Sequence, residues 1–425
     1  MTARPIDVLR NAHWLTRERA VAWATVLLVL QAMLLLFLAL WQHGVFFAVE
    51  TPSSSDFVSF YAAGKLALAG TPALAYDQAA HYIAQQQARV EGAPYQFFFY
   101  PPVFLLLCSA LATLPYFVAY ALFQCATLSL FLLMMRRVLN EPGWAWLIPV
   151  LAFPPVLWTI GLGQNAFLTA ALFAGFTLLI DRRPGIAGIL LGLLCYKPHF
   201  GLLAPIALLA GKRWHAIGAA TATVIGLIAL SALLFGLDTW RAYLDAFAGS
   251  QSVYTSGRID PAGMVTLFGG ALLFGLGAKT AYALQTVAAL GAAALLAFVW
   301  RNAPSQSTRA AILPIATLLA VPLALLYDQL LALVAMAWML REARSSGFLP
   351  WEKLVLLLAY PSCLLTWLVG TAWHIPLGPA VSLSLLALCM RRIQCVAPKT
   401  AGSVDKTEPA LWAWIRPRSA SRHSA

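Results

Sequence analysis

The sequence predicts an all-α, polytopic membrane protein, and three observations carry that expectation. Of 425 residues, 61% are apolar and only 10% charged, and the mean hydropathy is +0.77, far from the charge content of a soluble domain. The apolar residues fall into runs of membrane-crossing type. The cations are also distributed on one side of the breaks between those runs, as orientation in a bilayer requires.

About twelve spans follow from apolar runs and charged breaks, near 21–41, 116–135, 144–160, 165–180, 185–197, 200–211, 215–236, 279–300, 310–326, 328–340, 354–370 and 375–391. Residues 1–20 form a basic cytoplasmic N-terminus. The first span, Val21 to Trp41, is too long for a cleaved signal peptide and reads as a retained anchor. Runs 185–197 and 200–211 are shorter than a crossing and predict broken helices, which membranes tolerate only under cover of protein or a wet cavity. Segment 102–114, bounded by Pro101, Pro102 and Pro115, predicts a re-entrant or surface helix. The transmembrane domain covers 21–392, with long outer loops near 42–115 and 237–278, and the polar 393–425 is expected to be a disordered cytoplasmic tail.

With both termini cytoplasmic, 22 of 28 Lys and Arg residues lie inside. Only Lys65, Arg89, Lys197, Arg241, Arg258 and Lys279 face out. The formal charge of +12 is thereby explained by orientation, and no nucleic-acid partner is implied. The six cysteines show no CxxC or metal-like spacing, so neither a disulfide framework nor a zinc site is expected.

On this topology the outer face collects Asp56, Tyr76, Asp77, Gln164, Asn165, Lys197, His199, Arg258, Tyr327, Asp328 and His374. Ionisable groups at membrane depth are functional candidates. Each also has a plainer reading. Asp56 follows three serines, and its segment fits a helix start with Ser53 as N-cap and Asp56 at the third helical position. Lys197 in 197-KPH-199 fits a snorkelling lysine before a proline turn, or a phosphate site in which His199 donates a hydrogen bond. Tyr327-Asp328 and Gln164-Asn165 fit tight turns between spans. His374 beside Trp373 fits an interfacial histidine. No Walker motif, dinucleotide loop, HExxH or GxSxG elbow occurs, and no DxD-type acid pair, so neither metal nor cofactor is called for.

The ordered set 56-DFVSFYAAGKLALAG-70, Tyr76-Asp77, 100-YPPVF-104, 163-GQNAF-167, 197-KPHFGLLAPIALLAGKRW-214 and 327-YD-328 resembles glycosyltransferase family 87, enzymes of the GT-C type. The match runs from about 56 to 340. The resemblance implies an integral hexosyltransferase that takes a sugar, typically mannose, from a polyprenyl-phosphate donor and passes it to a lipid or glycan acceptor outside the cytoplasm, in a bacterial inner membrane. It also implies a catalytic base in the first outer loop, and the matching position is Asp56. Lys197, His199, Arg258, Asp328, Tyr327, Gln164, Asn165, Tyr61 and His374 are the candidate donor-phosphate or substrate residues. With one base and no nucleophile, inversion is expected, and segments 57–70 and 74–90 are expected to roof the site as amphipathic helices. Two other classes compete: a transporter or lipid-linked-sugar flippase, since interrupted helices also build transport sites, and an accessory membrane protein. The one-sided clustering of polar residues favours the enzyme.

Overall fold

The computed structural model describes residues 5–42, 56–88, 93–141, 143–255, 257–303 and 305–396. Among them all regular structure is helical, and the one pairing of extended backbone is an isolated antiparallel bridge between Met264 and Leu325. A short α1 (Pro5–Asn11) precedes α2 (Arg17–Gln42). Next come α3 (Phe57–Leu68), a 3₁₀ turn at Pro72–Tyr76 and α4 (Gln78–Ala88). After an irregular stretch the chain enters α5 (Pro102–Ala112) and α6 (Tyr116–Leu139), then α7 (Leu147–Leu151), α8 (Pro154–Leu162) and α9 (Ala166–Leu179). Beyond α10 (Pro184–Gly192), 3₁₀ turns at Leu193–Tyr196 and Pro198–Gly201 lead to α11 (Ala204–Ala210), α12 (Trp214–Phe235) and α13 (Leu237–Thr255). The remainder is α14 (Leu267–Leu273), α15 (Ala278–Asn302), α16 (Gln306–Ala320), a 3₁₀ turn at Leu326–Gln329, α17 (Leu330–Ser346), α18 (Glu352–Trp373) and α19 (Leu377–Val396).

Five of these helices, α2, α6, α12, α15 and α18, are long and apolar enough to cross a bilayer by length and composition. Of the other expected spans, 144–160 is broken, and 185–197 is broken as its length predicts; prolines account for both breaks. Segment 144–160 divides at Phe153, which is extended before Pro154 and Pro155, because a residue preceding proline is driven out of the helical region. The run 185–197 becomes α10 and a 3₁₀ turn that stops at Lys197, ahead of Pro198. A carbonyl at the first break, Ala152 O, accepts from Gln31 Nε2 at 2.7 Å. That bond satisfies a backbone group that lipid would leave bare, and ties α2 to the rest.

The middle of the molecule is α16 and α17, whose residues Ala310–Val321 and Leu330–Met339 are buried throughout. By contrast α2 exposes Val26, Leu30 and Met33, and α12 exposes Ile225, Leu233 and Leu234. An apolar rim around a buried apolar centre is what a lipid solvent permits. Ion pairs join helix ends that the basic-residue pattern assigns to the cytoplasm. Glu141 meets Arg17 at 3.1 Å and Arg344 at 2.7 Å, Asp181 meets Arg309 at 2.9 Å and also Arg213, and Glu352 accepts two bonds from Arg392.

Helix α3 is not the surface roof expected of 57–70. Phe57 through Gly64 are all buried, and a Cβ at Gly64 would lie 2.1 Å from Cys108 O, so α3 and α5 touch backbone to backbone at a residue that must lack a side chain. Helix α4 is partly exposed and holds the chain that follows it. Burial lowers the pKa of His81 to about 4, so the ring is neutral, with Nε2–H donating to Ser59 O at 3.0 Å and Nδ1 accepting from the Tyr95 hydroxyl at 3.1 Å. Gln85 bonds Gln96 reciprocally, Nε2 to O at 2.6 Å and Oε1 from N at 3.0 Å. These side chains carry residues 95–100 across the top of α3.

Candidate functional site

Asp56 is the residue before α3, half-buried, and its carboxylate is not a helix cap. The expected arrangement, Asp56 at the third helical position, is therefore corrected: the helix begins at Phe57, and Ser53 lies outside the described residues. Instead, Asp56 Oδ2 accepts from Gln164 Nε2 at 2.7 Å. The contact is built from three directions. Gly163 ends α8 in the left-handed region, φ 70°, and a Cβ there would fall 2.7 Å from Phe57 Cβ and 2.8 Å from the Tyr120 ring. Gln124 Nε2 on α6 donates to Gln164 O at 3.0 Å. The Phe57 ring sits 5.4–5.9 Å from those of Tyr116, Tyr120 and Phe123, anchoring the residue next to the acid.

Asp56 Oδ1 has no bonding partner among the described residues. Burial raises the carboxyl pKa from its ordinary value to about 6, with the Gln164 bond and the Lys197 charge pulling it back part of the way. A carboxylate with one oxygen fixed by an amide and a pKa of about 6 is equipped to take a proton.

Lys197 and Asp328 lie beside it. Lys197 stands between two 3₁₀ turns, and its Nζ meets Asp328 Oδ1 at 2.9 Å with 5% and 4% of the two side chains exposed. The other carboxylate oxygen, Oδ2, accepts from Leu325 N at 3.0 Å and so fixes the turn that carries it. The rings of Phe200 and Tyr327 flank the ammonium at 5.1 and 5.3 Å, a cation–π arrangement that offsets part of its lost hydration. His199 is half-buried against the Phe200 ring, 4.6 Å between centroids.

Between the two groups is a residue that the sequence presented within 100-YPPVF-104 but not among the candidate site residues. The Tyr100 hydroxyl lies 3.5 Å from Gln164 Oε1 and approaches the Asn165 amide, with the Asp328 and Asp56 charges near enough to act on it. Burial first, and the Asp328 charge second, keep it well above the ordinary tyrosine pKa. Its proton therefore stays on, and Tyr100 serves as a donor. Its ring packs on Phe104, centroids 4.5 Å apart, and its carbonyl accepts from the Tyr76 hydroxyl at 3.0 Å. Phe104 in turn stacks on Tyr196, whose hydroxyl pairs with Thr169 Oγ1 at 2.7 Å. The irregular 95–100 segment, held by His81 and Gln85, is what sets Tyr100 in place.

The structure thus gathers Asp56, Gln164, Asn165, Lys197, Tyr327 and Asp328. Tyr61 is buried but its hydroxyl donates to Leu114 O at 2.9 Å, in the packing of α3 on α5 and α6. Asp77 accepts from Ala80 N at 2.8 Å and caps α4. Arg258 and His374 are exposed, His374 ending α18 at φ 56°, and among the described residues no hydrogen bond or ion pair links either to Asp56. No group of three or more His, Cys, Asp or Glu suited to a metal ion occurs among the described residues.

The described residues thus form an all-helical protein with a half-buried acid, a buried Lys–Asp pair and a set of amides at helix breaks. Residues 98–326 match glycosyltransferase family 87, more than half of the chain, and the protein belongs to that family: it is a membrane glycosyltransferase. No curated protein and no solved structure matches it.

Proposed function

We propose that the protein transfers a hexose, most consistently mannose, from a polyprenyl-phosphate sugar to an acceptor hydroxyl on the outer side of a bacterial inner membrane, with Asp56 as general base. The observation that carries this reading is the Asp56 carboxylate, held through Oδ2 by Gln164, with no partner on Oδ1 among the described residues. The acceptor O–H gives its proton to Oδ1 as its oxygen attacks the anomeric carbon. A new C–O bond forms there, the bond from that carbon to the phosphate oxygen breaks, and the lipid phosphate leaves with the electron pair. Such a leaving group needs no protonation. It benefits from positive charge and fixed donors, which Lys197, oriented by Asp328, would supply together with Tyr100. His199 and Arg258 remain candidates for the phosphate and Tyr327 for the sugar. A single displacement by one base inverts the anomeric centre. A lipid-borne donor also fits the chain's chemistry: no nucleotide-binding motif occurs, and sugar nucleotides are cytoplasmic.

The test is transfer from labelled polyprenyl-phosphate mannose, glucose and galactose by detergent-purified protein, wild type against Asp56→Asn. Loss of transfer by at least a thousandfold in a folded variant is expected. Undiminished transfer sinks the assignment of the base.

A further inference from the structure

Two buried amides beside the site have no hydrogen-bond partner among the described residues. Asn165 is fully buried and Gln329 is 1% exposed, and in each the side-chain oxygen and nitrogen both lack a hydrogen-bond partner among the described residues. Buried amides are nearly always paired, and one left with both ends open opposes folding.

Their positions are parallel. Asn165 directly follows Gln164, which holds Asp56, and is the N-cap residue of α9. Gln329 directly follows Asp328, which holds Lys197, and is the N-cap residue of α17. An asparagine at that position ordinarily turns its oxygen back onto the first helical amides; Asn165 does not, and Gln329 makes no cap bond either. The 3₁₀ turn bearing Gln329 packs against α8 and α9, the two helices that Asn165 joins. The Asn165 amide also approaches the Tyr100 hydroxyl, which places it toward Asp56 rather than toward lipid.

We propose that Asn165 and Gln329 read the hydroxyl groups of the transferred sugar and so select the hexose. An amide offers an N–H donor and a C=O acceptor side by side, the complement of two neighbouring hydroxyls on a pyranose ring. A site whose polar groups are satisfied by one epimer and left unpaired by another discriminates more strongly than an apolar pocket. This inference rests on the glycosyl-transfer reading above and adds to it which residues choose the sugar.

The experiment replaces each amide with an apolar side chain of similar size, Asn165→Leu and Gln329→Met. Two quantities are read: the ratio of kcat/KM between polyprenyl-phosphate mannose and its glucose and galactose counterparts, and the thermal midpoint in detergent. The expected result is a wild type that discriminates and variants whose ratio falls about tenfold each, as loss of one well-placed hydrogen bond predicts. Their midpoints should hold or rise, because unpaired polar atoms have been removed. An unchanged ratio with a lowered midpoint overturns the proposal and makes the amides structural, paired through internal water. A wild type indifferent to the hexose overturns it equally. Should Asn165→Leu not fold, Asn165→Asp keeps the volume and is read by the same ratio. A wild type inert with every lipid-phosphate sugar defeats the glycosyl-transfer reading itself, a failure separate from unchanged selectivity in active variants.

Discussion

Lys197 and Asp328 are 131 positions apart in the chain and meet in a buried ion pair 2.9 Å long. The pair joins the turn between α10 and α11 to the turn that opens α17. Removing one member leaves an uncompensated buried charge, which typically costs about 3–5 kcal/mol, whereas replacing both with apolar groups is often neutral. Lys197→Met alone and Asp328→Leu alone should therefore lower the thermal midpoint in detergent sharply, and the double variant should recover most of that loss. Transfer should not return with it. A double variant as unstable as either single would show that the pair does not hold the two turns together.

A base with a pKa near 6 works only when ionised, so kcat/KM should fall about tenfold per pH unit below pH 6 and level off above it. The Gln164 bond is one of the two influences lowering that pKa. Gln164→Leu should accordingly move the midpoint of the profile upward, besides reducing the plateau. A Gln164→Leu profile with its midpoint unmoved would mean that Gln164 does not set the acid's protonation.

The same residue works against the fold at neutral pH. Its folded pKa of about 6 lies above the ordinary 3.8, so the folded state binds the proton more tightly. The resulting stability is fully present below about pH 3.8 and is lost as pH rises to about 6. At pH 7.5 the ionised carboxylate thus opposes folding by on the order of 2–3 kcal/mol. Asp56→Asn keeps an acceptor for Gln164 and removes the charge, so this inactive variant should melt above wild type at pH 7.5, with the difference shrinking toward pH 4. Equal midpoints at both pH values would contradict the raised pKa.

Two glycines hold Asp56 where it is. A methyl group at Gly64 would press on the Cys108 carbonyl, and one at Gly163 on Phe57, with φ 70° already unfavourable for an L residue. Gly64→Ala should destabilise by about 1–3 kcal/mol, and Gly163→Ala should cut transfer at least tenfold by shifting Gln164 off Asp56. Gly201, where a Cβ meets nothing within 4 Å, is the control and should tolerate alanine with little effect. Activity assays and thermal melts on the three variants decide the matter.

The all-helical architecture was legible in the sequence because lipid leaves so few options: apolar runs for helices, prolines for breaks. The grouping of Gln164 with Asp56, and of Lys197 with Asp328, could be anticipated only as residues sharing one face. Which atoms bond depends on how α8 ends and where the 3₁₀ turns fall, and pattern does not encode that. Residues 57–64 read as an amphipathic roof because alternating aromatics and small residues suit a surface helix as well as a buried one. The buried helix follows from Gly64 against Cys108, a long-range contact. Tyr100 was hidden for a related reason. In 95-YQFFFY-100 five of the six residues are aromatic, and how the segment lies depends on the bonds of Gln85 to Gln96 and of His81 to Tyr95.

The antiparallel bridge between Met264 and Leu325, with Val265 N bonded to Ala324 O at 2.9 Å, reaches further than its size suggests. Leu325 N is also the donor to Asp328 Oδ2, so the segment around Met264 and Val265 is stitched to the turn that orients Lys197. A ligand gripping residues 260–266 would thus pull on the polar machinery three residues beyond Leu325, making that segment a handle on the enzyme that does not enter the site.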